Sequence, residues 1–282
     1  MNEKLENPVS SVIVSVYKDD VALRHILISL NRQTVSNFEI IVSEDCQSDS
    51  IKKCLNGFIG SGYDSGIPIQ HLIQEDIGFR KNRALNRALC SANADHLIFI
   101  DGDCVPHPEF VNAHQRYANR GVASSGRRVE VGERISARLR ADHDCFKRFS
   151  NNFYYLLSII PLIQDRSKNI ECGLYSRFLQ SLTKNRKTRL LGCNFSCNKR
   201  DLIDINGFNE DYIFPGTGED TDVDWRLRRI GVELVNIKFS AIQYHLHHAR
   251  TYNKSADNQK ILKRTKQLDQ YVCRNGISKV KQ

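Results

Sequence analysis

What most constrains this chain is a series of short apolar runs set apart by stretches of helical periodicity. Val9–Val16 reads VSSVIVSV, rich in β-branched residues and without charge, and Val21, Leu23, Ile26, Leu27 and Leu30 then recur at helical spacing. FEIIVS (Phe38–Ser43) is a second run and IPIQHLI (Ile67–Ile73) a third, reached through the Gly/Ser-rich loop Asn56–Gly66. FRKNRALNRALCSA then has helical periodicity, and HLIFI (His96–Ile100) closes the series. Strands alternating with helices at this rhythm predict an α/β fold with a mostly parallel central sheet and helices on both faces. Such sheets bind ligands outside the carboxyl ends of their strands. The polar residues collect there: Tyr17 and Lys18, Glu44 and Asp45, Asp76, then Asp101 and Asp103.

With 282 residues, 40% of them hydrophobic, the chain can bury a sizeable core. Its first ten residues, MNEKLENPVS, are polar, so no secretory signal is expected. The longest apolar run, Phe153–Ile163, has 11 residues and contains a proline, well short of the roughly 20 a spanning helix needs. Nine cysteines without a paired framework suit free thiols in a reducing cytoplasm. Cys193 and Cys197 could join His245 and His247 around zinc, although their spacing is not that of a common ligand knuckle.

The net charge of +9 is unevenly placed. Between Arg127 and Leu190 fourteen Lys and Arg face six Asp and Glu, a surplus of eight that leaves one unit for the rest of the chain. That segment, long, aromatic and helical in pattern, reads as an insertion (127–190). It separates a first half (1–126) from a second (191–253), which a basic helical tail (254–282) follows. Nothing beside it resembles a nucleic-acid-reading module, so an anionic membrane surface or an anionic substrate is the expected partner, not nucleic acid. An ordinary solvated insertion over a cleft is the alternative, and Phe146, Phe149, Phe153, Tyr154 and Tyr155 are its candidate membrane-facing aromatics.

Asp101 and Asp103 flank Gly102 directly after a buried strand. Two hard oxygen donors in one tight turn suit Mg²⁺ or Mn²⁺, ions that commonly also hold substrate phosphates. A plain surface turn is the competing reading, since Asp and Gly are common turn residues. Further on, Gly216-Thr217-Gly218 leads into Glu219 and Asp220 at a helix start, where acids also serve as caps, as Asp222 and Asp224 do more readily. QYHLHHAR holds His245, His247 and His248, and strand alternation places the first two on one face and His248 on the other.

Taken in order, VIVSVYKDD, FEIIVSEDCQSDS, QEDIGFRKNRALNRA, LIFIDGDCVPHPEF and GEDTDVDWRLRRIG resemble the inverting nucleotide-sugar glycosyltransferases of family 2. The last block and its NGFNED lead-in resemble the galactosyltransferase-like subgroup, which includes β-1,4-galactosyltransferases and bacterial chondroitin-polymerase-type domains. The resemblance implies a GT-A fold, with nucleotide-sugar binding before the DxD turn and acceptor binding after it. It implies that Val16 and Tyr17 border a uridine whose base bonds Asp45, and that Arg80 and Asn86 lie in the block lining the nucleotide site. Asp101 is expected to approach ribose and metal, and Asp103 to bind the metal. His248, with His245 next, is the expected further metal ligand, and a nitrogen donor tilts the preference toward Mn²⁺. Asp220 matches the base that deprotonates the acceptor, with Glu219 beside it touching the acceptor sugar. Gly216 stands where the family's motif often carries an aromatic residue.

The expected function is therefore transfer of a hexose or N-acetylhexosamine from a UDP-sugar to a glycan or lipid-linked acceptor. Bacterial surface-polysaccharide synthesis, in the cytoplasm or on the inner face of its membrane, is the setting the resemblance implies. A nucleotidyltransferase is the rival enzyme class, but VIVSVYKDD lacks the glycine-rich basic loop expected of one. A non-catalytic carbohydrate-binding protein on a transferase-like fold is the remaining alternative.

Overall fold

The computed structural model describes residues 8–216, 218–249 and 255–279. Its first half follows the predicted alternation: β1 (Ser10–Val16), α1 (Asp20–Leu30), β2 (Phe38–Glu44), α2 (Asp49–Phe58), β3 (Ile69–Ile73), α3 (Lys81–Ser91) and β4 (His96–Asp101). There follow β5 (Cys104–Pro106), α4 (Phe110–Gln115), β6 (Val122–Ser125) and β7 (Arg127–Glu130). Five short helices come next: α5 (Glu133–Ala141), α6 (His143–Phe149), α7 (Asn152–Leu157), α8 (Ile159–Gln164) and α9 (Arg177–Thr183). The chain then forms β8 (Phe195–Asn198), α10 (Lys199–Asp204), α11 (Glu219–Arg229), β9 (Glu233–Asn236), β10 (Ile242–His245) and α12 (Ala256–Gln267).

A seven-stranded sheet runs β3-β2-β1-β4-β8-β6-β9, parallel except for β8, which lies antiparallel between β4 and β6. Its central strands are covered on both sides, which is why they are apolar almost without alternation. Val12, Val14, Ile40 and Val42 pack with Leu23, Ile26 and Leu27 of α1 on one face. Ile13, Ile41, Leu97 and Phe99 meet Leu85, Ala88 and Leu89 of α3 on the other. A smaller sheet, β5-β10-β7, sets β10 antiparallel to β5 and parallel to β7.

The segment read as a helical insertion begins with a strand, because Arg127–Glu130 pairs with β10. It also belongs to the main core: Val129, Leu139, Phe146, Phe149, Tyr155 and Leu162 share one cluster with β1 and α1. The rings of Phe146, Phe149 and Tyr155 gather around the buried Tyr244 of β10 at centroid distances of 5.6, 5.1 and 6.0 Å. Of the five aromatics predicted to face outward, then, these three face inward. All nine cysteines are free thiols. No described helix is long and apolar enough to cross a membrane.

Candidate active site

The carboxyl ends of β1, β2 and β4 open into a cleft of about 660 Å³, whose far wall comes from residues 191–193, 215–216 and 248–249. At the end of β4 the backbone passes so close to β1 that Gly102 N donates to Ser15 O at 2.6 Å. A Cβ at position 102 would stand 2.8 Å from that oxygen and 3.1 Å from Val16 Cα, so the residue between the two aspartates has to be glycine. Beyond it, Asp103 O accepts from Leu246 N at 2.9 Å, which ties the acidic turn to the segment leaving β10.

Each carboxylate in the turn has its own cationic or polar partner. Lys81 Nζ, at the start of α3, lies 2.7 Å from Asp101 Oδ1. Asp103 Oδ2 instead faces two imidazoles, His245 Nε2 at 3.3 Å and His248 Nε2 at 3.1 Å. Burial alone would raise the Asp103 pKa, but hydrogen bonds from these two rings hold it well below the usual carboxylate range. The same contact raises His248 above an ordinary histidine. Strand alternation does not separate the two rings because β10 ends at His245, and the chain then turns His248 back toward Asp103. His247 is exposed, and its backbone N donates to Ser136 Oγ at 2.8 Å.

One ligand atom from each of Asp103, His245 and His248 lies within 4.8 Å of the others. One carboxylate oxygen and two imidazole nitrogens, fixed by separate elements, fit a divalent transition ion. They suit Mn²⁺ better than Mg²⁺, which prefers an all-oxygen shell. The zinc grouping does not form: Cys193 lines the cleft, while Cys197 sits in β8, fully buried in the core beside Phe99 and Leu202.

Val16, Tyr17, Asp45 and Asp101 all line the cleft. Asp45 is buried, its Oδ2 accepting from Arg80 N at 2.8 Å and its Oδ1 from Gln74 Nε2. Desolvation nevertheless raises its pKa. Arg80 thus meets Asp45 through its backbone, and its guanidinium returns to Phe79 O. Asn86 departs from the sequence reading. It is fully buried on the far side of α3, donating to Phe208 O and accepting from Phe208 N, both at 2.8 Å, so it fastens the helix to a loop and does not line the cleft.

Asp220 also lines the cleft. Two glycines with positive φ carry the chain to it, Gly216 at +104° and Gly218 at +136°. Gly218 lies flat on the Tyr212 ring, where a Cβ would come within 2.1 Å of Cδ1. The Asp220 carboxylate is oriented from both sides, Oδ1 accepting from Thr221 N at 2.6 Å and Oδ2 from Gly192 N at 3.3 Å. Thr217 and the side chain of Glu219 lie outside the described residues, so the structure does not place the second predicted catalytic acid. Asp222 and Asp224 serve the fold: Asp222 pairs with Arg226 inside the protein, and Asp224 accepts from Leu190 N.

Three further charged residues border the cleft, namely Asp19, Lys81 and Arg128. Lys81 stands in the FRKN run that opens α3, a readable signal. Arg128 was hidden by the reading of its segment as helix. Asp19 caps α1 through Ala22 N and forms a two-pronged ion pair with Arg140 of α5 at 2.9 and 2.8 Å.

A chondroitin synthase of Escherichia coli is 23% identical over 243 residues, 83% of this chain and 34% of its own length. A validoxylamine A glucosyltransferase of Streptomyces hygroscopicus subsp. limoneus is 31% identical over 108 residues, 38% of this chain and 23% of its own. The chain thus spans between 23% and 34% of the length of these two curated relatives. Among solved structures, GalNAc-T7 with UDP, GalNAc and Mn²⁺ superposes with a TM-score of 0.59 at 13% identity, over 93% of this chain and 49% of that one. The mannosyltransferase PcManGT of Pyrobaculum calidifontis, in complex with GDP-Man and Mn²⁺, gives 0.56 at 17% identity, over 94% and 63%. The fold is accordingly GT-A. The profile described as the N-terminal domain of galactosyltransferase matches residues 174–249, which include Asp220, His245 and His248. The glycosyl transferase family 2 profile matches residues 11–194, more than half of the chain and all four parallel strands that frame the acidic turn, and the chain belongs to that family.

Proposed function

We propose that the chain is a metal-dependent inverting glycosyltransferase, moving a hexose or N-acetylhexosamine from a UDP-sugar to a glycan or lipid-linked saccharide. The observation that carries this is the convergence in one cleft of a metal-type donor set, Asp103 with His245 and His248, and a separately oriented carboxylate, Asp220. Asp45, buried at the base of the cleft, accepts the uracil N3–H, and Tyr17 at the rim covers the ring. Lys81 keeps Asp101 oriented toward the ribose. Asp103, His245 and His248 would hold the ion, which when bound supplies positive charge against the departing diphosphate.

Asp220 takes the proton of the acceptor hydroxyl as that oxygen bonds to the anomeric carbon. The bond from carbon to diphosphate oxygen breaks on the opposite side, UDP leaves with the electron pair, and the configuration inverts. Glu219, adjacent in the chain, contacts the acceptor sugar. Bacterial surface polysaccharide is the product class we infer, on the cytoplasmic side of the membrane, in keeping with the likeness to a chondroitin synthase.

Titration calorimetry with Mn²⁺ and UDP, paired with turnover on a UDP-sugar panel, tests this. Asp220→Asn should keep UDP affinity within about twofold while turnover falls at least 10²-fold. Asp103→Ala should abolish Mn²⁺-dependent UDP binding. Near-normal turnover by Asp220→Asn, or a preference for GDP over UDP, would contradict the assignment.

A further inference from the structure

Helices α7, α8 and α9 carry an apolar surface that the cleft does not use. Phe153, Leu157, Ile160, Ile163, Phe178 and Leu182 are each between 61 and 71% exposed. Each helix turns only a narrow face inward, Tyr155 on α7, Leu162 on α8, Gln180 and Thr183 on α9. Two hydrogen bonds join α7 to the approach of α9, Asn152 Nδ2 donating to Tyr175 O at 2.7 Å and Tyr175 N to Asn152 Oδ1 at 3.0 Å. The exposed side chains therefore stand on adjoining elements. So many large apolar groups in one segment mark an interaction surface, because soluble proteins keep such patches small.

The surrounding charge selects the partner. From Lys147 to Lys187 there are eight Lys and Arg, every one exposed. Only two acids lie in that span, and both are engaged: Asp165 with Arg134 at 3.1 Å and Glu171 with Lys238 at 3.0 Å. A second copy of the chain docked through this face would bring two basic rims together. An anionic bilayer suits both parts of the surface, receiving the apolar side chains at the acyl boundary and Arg148, Arg166, Arg177 and Lys184 among its phosphates.

We propose that α7, α8 and α9 form a docking face for an anionic lipid bilayer. The proposal is independent of the reaction assigned to the cleft, and its test involves no turnover. The whole chain is floated with vesicles of phosphatidylcholine alone, or with one quarter phosphatidylglycerol, at low and high salt. Flotation is expected with the anionic vesicles and should weaken with salt. Arg177→Glu should weaken binding by about fivefold or more, the contribution of one basic residue near a charged surface. Phe153→Ser with Phe178→Ser should weaken it about tenfold or more while the melting temperature holds, since both rings are already in water.

Absence of flotation with anionic vesicles at low salt overturns the proposal, as does undiminished binding by the double variant. A dimer in light scattering that Phe178→Ser dissolves, with no vesicle binding, would identify the face as a self-association surface and overturn it equally.

Discussion

The two acidic residues of the turn owe their placement to the residue between them. Gly102 packs against backbone, which cannot move aside as a flexible side chain would, so Gly102→Ala must shift either β1 or the turn. The expected cost is about 2 kcal/mol, typical of overpacking, together with at least tenfold weaker Mn²⁺-dependent UDP binding. Urea unfolding and calorimetry read the two effects separately. Gly57→Ala is the matched control, with nothing within 4 Å of the added carbon and a helical setting in α2. There the change should stabilise by about 0.5–1 kcal/mol. Aspartates that close an apolar strand announce themselves in sequence, and Asp45, Asp101 and Asp103 stand out for that reason, whereas Asp220 follows the run Gly216-Thr217-Gly218-Glu219 and is marked only by the motif it resembles. Asn86 misled because a motif block gives a helix without its azimuth. In α3 the cleft takes Lys81 and Ala84, while Asn82 and Asn86, one turn apart, bond Asn209 O and Phe208 O on the far side.

At the scale of elements, α11 aims Asp220, and what anchors α11 is a buried ion pair one helical turn in. Arg226 is fully buried, its Nε 2.6 Å from Asp222 Oδ2 and its Nη1 capping the carbonyls of Ile205 and Gly207 at 2.8 Å each. Asp222 also accepts from Tyr212 OH, and Tyr212 is the floor under Gly218. Arg226→Met should therefore cost about 3–5 kcal/mol, since it removes the cationic partner of a buried carboxylate and a donor to the Ile205 and Gly207 carbonyls. Adding Asp222→Leu should recover part of that loss but not all, because Gly207 O loses the Arg226 donor and Tyr212 OH loses its carboxylate acceptor, while Ile205 O keeps Cys273 N at 3.3 Å. A thermal-unfolding double-mutant cycle reads it, and a fully recovered double variant would mean that Arg226 matters only as the carboxylate's partner. The long parallel strands were legible because burial on both faces leaves an uninterrupted apolar run. β7 was not, because RRVE is short and polar, and its strand character comes from pairing with β10, distant in the chain.

For the whole molecule, stability in mild acid depends on histidines kept neutral inside it. Burial pushes His96 and His107 down to about 4, and burial together with nearby His96 takes His114 to about 3. His114, on α4, is buried against the sheet and bonded to Ser124, Ser196 and Asn194, while His107 stacks on Tyr175 at 5.3 Å. The unfolded chain takes up these protons near pH 6.5 and the folded one only well below it, so their contribution is complete above pH 6.5 and drains away as the pH falls toward 4. Each group should lose on the order of 2 kcal/mol between pH 7.5 and pH 5. Carboxyls raised by burial, Asp45, Asp201 and Asp222, act in the opposite sense. The net expectation is a urea midpoint clearly lower at pH 5 than at pH 7.5. His96→Gln should remove roughly a third of that difference, whatever it does to stability at neutral pH. A midpoint that does not move between the two pH values would mean that the sheet admits protons to these rings, and the packing of β4, β6 and β8 around His114 would have to be looser than the structure shows.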